Sequence, residues 1–393
     1  MTIGTIRTGS ERMRCIFLAT LTLAAVGACS TVEKLNPFST ASTASKPADL
    51  VTIKPSAELN TIWKASIGAS GTYIFSPAVV DRSVYVAARD GAIVRFDAGK
   101  QVWRIKAGQP ISGGVGSDGS LVVVGTDKGE VMAFDAVAGA LKWRARVSSE
   151  ILAAPAVADG LVIVRSGDSR VFGFDVADGK RRWVYQRSTP ALSLRSNVGV
   201  VLAGKMTLVG YPGGKLVAIA NNNGAAAWEL SIALPKGATE LERVADITSS
   251  PVINGNIVCA AAFQGRVSCV DAGSGHVLWS RDMSSSAGLD MDSRYVYITD
   301  DKGSVHALDR NSGASVWKQD KLFMRGVSRP IALGNFVGVG DYSGVIHLLR
   351  RDDGEFAARM TTDGSRIAAE PVHYGNGFLV QTVGGGVYAV ETR

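Results

Sequence analysis

The fold of this chain is decided by a stretch that recurs, best seen in GTDKGEVMAFDAVAGALKW at residues 125–143. A tight turn at 127–129 is followed by a strand, then by Asp135, a turn closing at Gly139 and a strand that carries Trp143. Three close copies and two looser ones carry five further tryptophans, and Trp63 lies 40 residues before the first of these. All seven tryptophans of the chain are therefore in the same phase, with spacings of 40, 40, 40, 45, 51 and 38 residues: Trp63, Trp103, Trp143, Trp183, Trp228, Trp279 and Trp317. A period near 40 with several short strands per period predicts a propeller or another β-repeat array.

We interpret the repeat as an all-β, eight-bladed β-propeller of four-stranded antiparallel blades. A strand at 59–67 holds Trp63 in a last-strand position with no strands before it, whereas residues 367–390 supply three strands and no fourth. We therefore expect the N-terminal strand to pair with the C-terminal blade and close the ring. The predicted blades cover 72–106, 109–147, 150–186, 197–232, 246–283, 286–320, 326–361 and 366–392, the last completed by the strand at Trp63.

The repeated side chains are predicted to be structural. Each tryptophan falls on an outer strand, where it would wedge between blades and bury a large apolar surface. A ligand platform or a metal site would need the residues to converge, and one residue per blade spreads them around the ring. The aspartates before the repeat glycines are expected to cap turns by side-chain-to-backbone hydrogen bonds, at Asp135, Asp175, Asp271 and Asp309.

The N-terminus has the pattern of a targeting segment. Arg12 and Arg14 precede an apolar run that is short for a membrane span, which favours a secretory signal. The following Val-Gly-Ala-Cys resembles the lipobox of bacterial lipoproteins, which implies cleavage before Cys29 and acylation of that residue, including diacylglycerol on its thiol. The alternative is an ordinary cleaved signal with an incidental cysteine, and Met13 is a second candidate start. Because Ser30 follows the cysteine, the resemblance implies sorting to the outer membrane.

These features divide the chain into a signal peptide at 1–28, a lipidated cysteine with a flexible tether at 29–58, and the propeller at 59–393. The net charge is +7, but the basic residues are dispersed without a block or an aromatic platform, so a nucleic-acid partner is not expected. Cys259 and Cys269 fall on neighbouring strands of one predicted hairpin. They could form a disulfide or remain two buried thiols.

No catalytic constellation, metal-ligand spacing or cofactor motif emerges from the sequence. The histidines are scattered one to a blade, at His276, His306, His347 and His373. The Asp-x-x-x-Gly-x-x-x-Trp pattern resembles the repeat of pyrroloquinoline-quinone propellers, which keeps a periplasmic quinoprotein dehydrogenase as an alternative. That class has long insertions, a bound calcium ion and two adjacent cysteines, whereas this chain has near-minimal blades and no adjacent cysteines. We expect no enzyme activity and no cofactor.

Two interblade connections are long: RSTPALSLRS at 187–196, here loop 1, and SIALPKGATELERVA at 231–245, here loop 2. Because strands alternate in direction, both loops should emerge on one face and flank blade 4. Loop 1 places Leu192 and Leu194 beside Arg195, a composition typical of an interaction hot spot. Loop 2 carries Glu240, Glu242 and Arg243, and Asp246 follows it. The alternative is that these side chains tuck under neighbouring loops.

The lipobox, the polar tether, eight quinoprotein-like blades and the segments LSLR and ERVADITSSP together resemble the BamB family. These are lipoprotein subunits of the outer-membrane β-barrel assembly (BAM) complex, lipid-anchored in the outer membrane and facing the periplasm. The resemblance implies contacts with the periplasmic POTRA domains of BamA through Leu192, Leu194, Arg195 and Asp246, and we add Arg243 from its place in loop 2. Thr248 stands where the family has a second acidic residue.

The resemblance implies a non-catalytic scaffold that supports insertion of β-barrel proteins into the outer membrane. We also expect unfolded barrel substrates to pair with exposed blade edges. A lipoprotein propeller that serves another envelope partner is the remaining alternative.

Overall fold

Each copy of the repeat forms one four-stranded antiparallel sheet, whose strands we call A to D from the centre of the ring outward. The computed structural model describes residues 1–2 and 46–393, and Pro47–Arg393 form one unit with eight such sheets. The prediction of an eight-bladed all-β propeller is confirmed. The N-terminal strand pairs antiparallel with the last strand of the chain, so the ring closes as expected.

The strands of blades 1 to 4, in chain order, are β2 (Ala78–Val80), β3 (Ser83–Ala87), β4 (Ala92–Asp97), β5 (Lys100–Lys106); β6 (Gly113–Ser117), β7 (Leu121–Gly125), β8 (Glu130–Asp135), β9 (Leu141–Arg146); β10 (Ala156–Ala158), β11 (Leu161–Arg165), β12 (Val171–Asp175), β13 (Arg181–Tyr185); β14 (Val200–Ala203), β15 (Met206–Tyr211), β16 (Lys215–Ala220) and β17 (Ala226–Ser231).

The strands of blades 5 to 8 are β18 (Val252–Asn254), β19 (Ile257–Ala261), β20 (Arg266–Asp271), β21 (Val277–Asp282); β22 (Gly288–Met291), β23 (Tyr295–Thr299), β24 (Val305–Asp309), β25 (Ser315–Gln319); β26 (Ile331–Leu333), β27 (Phe336–Gly340), β28 (Val345–Arg350), β29 (Phe356–Thr361); and β30 (Val372–Tyr374), β31 (Gly377–Gln381), β32 (Gly386–Thr392) with β1 (Leu59–Ser66) as strand D.

The two middle strands of each blade are covered on both faces by neighbouring blades. In blade 2 the run LVVVG of β7 is buried throughout, as is most of β8. The outer strand β9 instead alternates between exposed residues and the buried Trp143. Continuous apolar runs therefore become inner strands and alternating runs become outer strands, which is the pattern that burial on two faces or one face requires.

The tryptophans join consecutive blades. Each packs on the glycine of the next blade's C–D turn; Trp279, for example, leaves no room for a Cβ atom on Gly313. Six donate the indole N–H to a carbonyl of that turn at 2.7 to 3.2 Å, on Ala136, Val176, Asn221, Ala272, Arg310 and Arg351. The seventh, Trp63, packs on Gly99. The structure gives these residues the packing role expected of them.

The C–D turns are capped by the repeated aspartates. Asp135 accepts hydrogen bonds from the amides of Val137 and Ala138 at 2.9 and 2.8 Å. Equivalent bonds to backbone amides occur at Asp175, Asp271 and Asp309. These contacts are local to each turn, so the carboxylates order the repeat and do not converge on a common site.

The N-terminal segment 47–58, here the strap, lies against blade 7. Ala48 bonds through its amide to the carbonyl of Phe323 at 2.9 Å and through its carbonyl to Arg325 at 2.9 Å. Farther along, Ile53 packs against the buried cluster of blades 6 and 7. The sequence predicted a flexible tether up to residue 58, and the structure places its last twelve residues on the propeller.

The strap also explains why blade 7 has Ala358 where the repeat has tryptophan. Blade 8 has no C–D turn on which a tryptophan could dock, because its fourth strand comes from the other end of the chain. At this joint the amides of Ser56 and Ala57 bond to the carbonyl of Ala357 at 2.9 and 3.3 Å. Leu59 packs in the cluster that contains Ala358.

Cys259 and Cys269 face each other on β19 and β20 and are joined by a disulfide with both residues fully buried. Of the two possibilities left open by the sequence, the structure contains the bonded form. Residues 3–28 of the predicted signal peptide, together with Cys29, lie outside the described residues. No helix within 1–2 and 46–393 is long and apolar enough to cross a membrane.

Candidate interaction surface

Both long connections lie on the face that carries the B–C turns, here the loop face. Loop 1 follows β13, and loop 2 separates β17 from β18, so the two loops flank blade 4 as predicted. Their contacts identify the face: Arg195 of loop 1 reaches Glu150, between blades 2 and 3, and Asp246 after loop 2 reaches the turn at Gly213. The two loops form one continuous surface.

Asp246 connects the two loops. One carboxylate oxygen accepts a hydrogen bond from the amide of Leu194 at 2.7 Å, and the other accepts one from the amide of Gly213 at 2.9 Å. Only 2% of Asp246 is exposed. The sequence led us to expect an acidic side chain presented to a partner. In the structure both oxygens are engaged with backbone amides, so the carboxylate holds loop 1 in place from below.

The tip of loop 1 presents an apolar pair beside a cation. Leu192 and Leu194 are 40% and 39% exposed, and the Arg195 side chain is 56% exposed. Arg195 forms a two-pronged ion pair with Glu150, at 3.0 Å from Nε and 2.8 Å from Nη2. The paired geometry limits how far the guanidinium can move while leaving more than half of it accessible.

An aromatic ring supports this cation. The guanidinium of Arg195 lies 5.7 Å from the centre of the Tyr73 ring, and that of Arg89 lies 4.3 Å from the same ring. Arg89 is itself paired with Asp127 in the B–C turn of blade 2. The hydrogen bond to Glu150 is the main reason that the pKa of Arg195 is raised. Arg195 is therefore a positive charge held in one position next to two leucines. This group would fit a partner surface that has an apolar recess beside an acidic side chain.

Arg243 lies in a compact turn of loop 2, and its side chain is 49% exposed. Its Nε donates to the carbonyl of Gly237 at 3.1 Å, and Nη1 pairs with Glu240 at 3.1 Å. The residue that we expected to contact a partner thus also stabilises its own loop. Thr248, at the position of the second acidic residue, is half-buried and donates to the carbonyl of Ser286 at 3.5 Å.

Several residues of the loop face were not predicted from the sequence. Leu234 and Leu241 of loop 2 are 65% and 72% exposed, more than the leucines of loop 1. A signal for the second was present, since Thr239-x-x-Glu242 has the spacing of a capping box that would hold a turn around it. Tyr73 and Glu150, by contrast, come from connections of ordinary length, and nothing in their local sequence indicates that Arg195 reaches them.

The centre of the ring opens on the loop face as a cavity of about 290 Å³. Its wall includes Arg329 of blade 7, which is paired with Glu370 of blade 8 and donates to the carbonyl of Leu289 at 2.7 Å. Within the described parts of the chain, no group of three or more His, Cys, Asp or Glu residues could hold a metal ion. Arg329 and Glu370 are paired with each other in this wall. The two loops additionally present exposed leucines, which makes them the stronger candidate surface.

Comparisons with known proteins agree on one family. The family described as "Outer membrane protein assembly factor BamB" matches residues 89–319. A protein of that name from Burkholderia pseudomallei is 43% identical over 350 residues, covering 88% of this chain and 92% of the relative. Another from Bordetella pertussis is 40% identical over 351 residues, covering 88% and 91%.

Solved structures give the same result for the fold. The crystal structure of BamB from Moraxella catarrhalis matches with a TM-score of 0.80 and 26% identity, covering 85% of this chain and all of that one. A quinohemoprotein alcohol dehydrogenase from Pseudomonas putida matches with a TM-score of 0.67 and 15% identity, covering 85% and 76%. At that identity the second match shows a shared propeller fold alone. The relatives named as assembly factors favour a non-catalytic protein over the quinoprotein alternative.

Proposed function

Because this chain belongs to the BamB family of outer membrane protein assembly factors, we propose that it is a non-catalytic scaffold that binds the periplasmic POTRA domains of BamA. The assembly role follows from the family. The identity of the partner and the residues that meet it are our proposal. The interface is centred on Leu192, Leu194 and Arg195 of loop 1, with Arg243 of loop 2 at its border.

One observation carries the assignment of the interface: loop 1 is ordered before any partner arrives. Asp246 bonds to the amide of Leu194, and Glu150 holds the guanidinium of Arg195. Ordering a loop in advance reduces the conformational entropy that binding would otherwise cost. Two leucines left about 40% exposed by such a loop are better explained by a partner than by the fold.

The propeller acts as a rigid platform in this proposal. Seven of its eight blade joints contain a tryptophan packed on a glycine, and the eighth contains the strap. The loops rest on blades 3 to 5, so their separation is set by the ring and not by their own flexibility. A scaffold of this kind would hold consecutive POTRA domains in one arrangement while the barrel of BamA receives its substrate.

We further propose that the protein is lipid-anchored in the outer membrane through Cys29 and faces the periplasm. The cysteine and the small residues before it support this proposal. Labelling with a radioactive or clickable palmitate analogue, followed by purification, would test it directly. Incorporation into the native chain and its loss in Cys29→Ala is the expected result, and equal labelling of both would contradict it.

Capture from detergent-solubilised envelopes tests the partner. Tagged protein is compared with Leu192→Ala/Arg195→Ala and with a matched pair on the opposite face, Val137→Ala/Lys180→Ala, which also loses one apolar and one cationic side chain. We expect BamA with the native protein and the matched pair, and a strong loss with the loop 1 variant. BamA with all three would place the interface elsewhere, whereas another envelope protein in place of BamA would contradict the function.

A second proposed contact is with unfolded barrel substrates at blade edges. The outer strands expose large apolar residues beside their free edges, for example Val102, Leu141 and Val277 at 49%, 47% and 52%. An extended segment could add to such an edge by backbone hydrogen bonds. Photo-crosslinkers placed at Val102 and at Val137, an equally apolar residue in a turn, distinguish the two sites. Substrate crosslinks from Val102 alone are expected, and their consistent absence would contradict this contact.

A further inference from the structure

Loop 2 carries the two most exposed leucines among the described residues, Leu234 at 65% and Leu241 at 72%. Exposure of two large apolar side chains to this extent in one loop lowers solubility and does not stabilise the fold. The leucines of loop 1 are little more than half as exposed. The arrangement around Leu241 therefore requires a separate explanation.

Leu241 lies in a turn that is closed by hydrogen bonds at both of its ends. The carboxylate of Glu242 accepts hydrogen bonds from the amides of Ala238 and Thr239 at 2.8 and 3.0 Å, and the Thr239 hydroxyl accepts one from the amide of Glu242 at 3.3 Å. The amide of Arg243 closes the turn on the carbonyl of Thr239 at 3.2 Å. This reciprocal capping box stabilises one turn of helical backbone, with Leu241 at its outer surface.

The backbone before the turn is also specialised. Gly237 has φ of 138°, a conformation that other residues rarely adopt, and a Cβ atom there would lie 2.3 Å from Cβ of Glu242. Both ends of loop 2 are anchored by buried residues, Ile232 at 2% exposure and Val244 at 5%. Loop 2 therefore has a defined conformation that exposes Leu241, and Leu234 lies nearby in the chain.

Loop 2 is joined to loop 1 through Asp246, two residues beyond its buried end. The carboxylate of Asp246, which directly follows loop 2, therefore holds loop 1 beside the end of loop 2. A partner that covers loop 1 would meet the exposed leucines of loop 2 on the same face. This continuity favours one partner for both loops.

We propose that Leu241, assisted by Leu234, is a second anchor for the same BamA segment, inserted into an apolar depression separate from that which receives Leu192 and Leu194. This inference rests on the proposed function. Two anchors on loops held by one carboxylate restrict the rotation of the bound segment, which a single anchor would allow. Glu240, 70% exposed on its side chain and paired with Arg243, borders the second anchor, so the rim of the depression would face a charged pair.

Purified POTRA domains of BamA and the full propeller in solution provide the test. The affinity of the native protein is compared with Leu234→Ser/Leu241→Ser, with Leu192→Ser alone, and with Val137→Ser, a residue 70% exposed on the opposite face. We expect roughly tenfold or greater weakening for the double variant and for Leu192→Ser, as is common for buried apolar anchors. Val137→Ser should bind like the native protein.

Amide hydrogen exchange separates direct contact from an effect on loop 1. In the double variant the amides of Leu194 and Gly213 should exchange at native rates, since their acceptor Asp246 is untouched. Native affinity of the double variant, or weakened binding accompanied by faster exchange at Leu194, would overturn the second anchor and leave the proposed function standing. No binding by the native protein would instead overturn the proposed function.

Discussion

At the scale of single residues, the propeller depends on pairs formed by a tryptophan and a glycine of the next blade. The phase of the tryptophans was readable from the sequence because a large apolar side chain recurs at one position of each repeat. The partner glycine was readable as a turn residue only. Its second role, the close approach of an indole ring, appears when consecutive blades are placed side by side.

Two glycine substitutions distinguish the role of glycine in the turn from its role in contacting the indole ring. Gly313 and Gly334 both have positive φ, 71° and 56°, so alanine at either position costs about 1 kcal/mol or slightly more in backbone strain. At Gly313 the new Cβ would also lie 2.5 Å from the Trp279 ring, whereas at Gly334 nothing lies within 4 Å. We expect Gly313→Ala to lose a further 1–3 kcal/mol or so. Thermal unfolding measures the loss of stability in each variant. Equal losses would contradict a stabilising contact between Trp279 and Gly313.

A buried group of charged residues in blade 7 predicts pH dependence. Burial lowers the pKa of His347, in opposition to the hydrogen bond that it shares with Asp341. Burial alone would raise the pKa of Asp341, but hydrogen bonds from His347, the Val345 amide and Arg325 outweigh it and hold the pKa well below its usual range. Arg359 donates to Nδ1 of His347 at 3.1 Å, which favours the neutral ring.

The sign of the effect follows from the lowered pKa of His347. Below the ordinary pKa of 6.5, His347 binds a proton in the unfolded chain but stays neutral in the folded chain until a lower pH is reached. Stability from this residue is therefore complete above that pH and falls by up to about 1.4 kcal/mol per pH unit below it. Between about pH 7.5 and about pH 5.5, the melting temperature should fall less in His347→Gln than in the native protein. An identical fall in both would contradict the assignment.

At the scale of elements, the two long loops were recognised from their length and placed on one face by the alternation of strand direction. Their connection was not recognised, because a carboxylate's bond to an amide 52 residues away leaves no local pattern. Asp246 therefore looked like a partner contact. Buried at this position, Asp246 supports the proposed interface by holding loop 1 in place.

The connection makes Asp246→Ala a test of loop order. Hydrogen bonds to a charged acceptor contribute about 1.5–3 kcal/mol each, so the amides of Leu194 and Gly213 should exchange roughly tenfold to a hundredfold faster in the variant. Asp282→Ala, which removes a carboxylate 83% exposed at the end of β21, is the matched control and should leave both amides unchanged. Unchanged exchange in Asp246→Ala would mean that the loops are held independently.

The strap is the element that composition misrepresented. Its few apolar residues suggested a tether, yet its backbone amides bond to blade 7 and to the connection before that blade, and Ile53 is packed. Ile53→Asp should release it and expose residues 47–58 to proteases, because a carboxylate would face a buried apolar cluster. Val51→Asp places the same charge on a side chain already 37% exposed and should remain protected. Limited proteolysis followed by mass spectrometry compares them, and equal cleavage would contradict a docked strap.

At the scale of the whole molecule, the number of blades and the closure of the ring were predictable because the two chain ends are complementary. The N-terminal end has one strand without a blade, and the C-terminal end has one blade that lacks a strand. Pairing the two completes the last blade, and β1 does pair with β32. The surface that the ring presents was predictable only in outline. Which loop residues remain exposed depends on contacts such as Arg195 with Glu150, which join parts of the chain 45 residues apart.

The central claim is that the loop face binds BamA, and crosslinking inside living cells tests it most directly. A photo-reactive amino acid replaces Leu192 in one strain and Val137, on the opposite face, in another. Covalent products are then purified and identified by mass spectrometry. The account predicts BamA as the main product from position 192 and none from position 137. Products with another envelope protein alone at position 192, or equal BamA products from both positions, would contradict it.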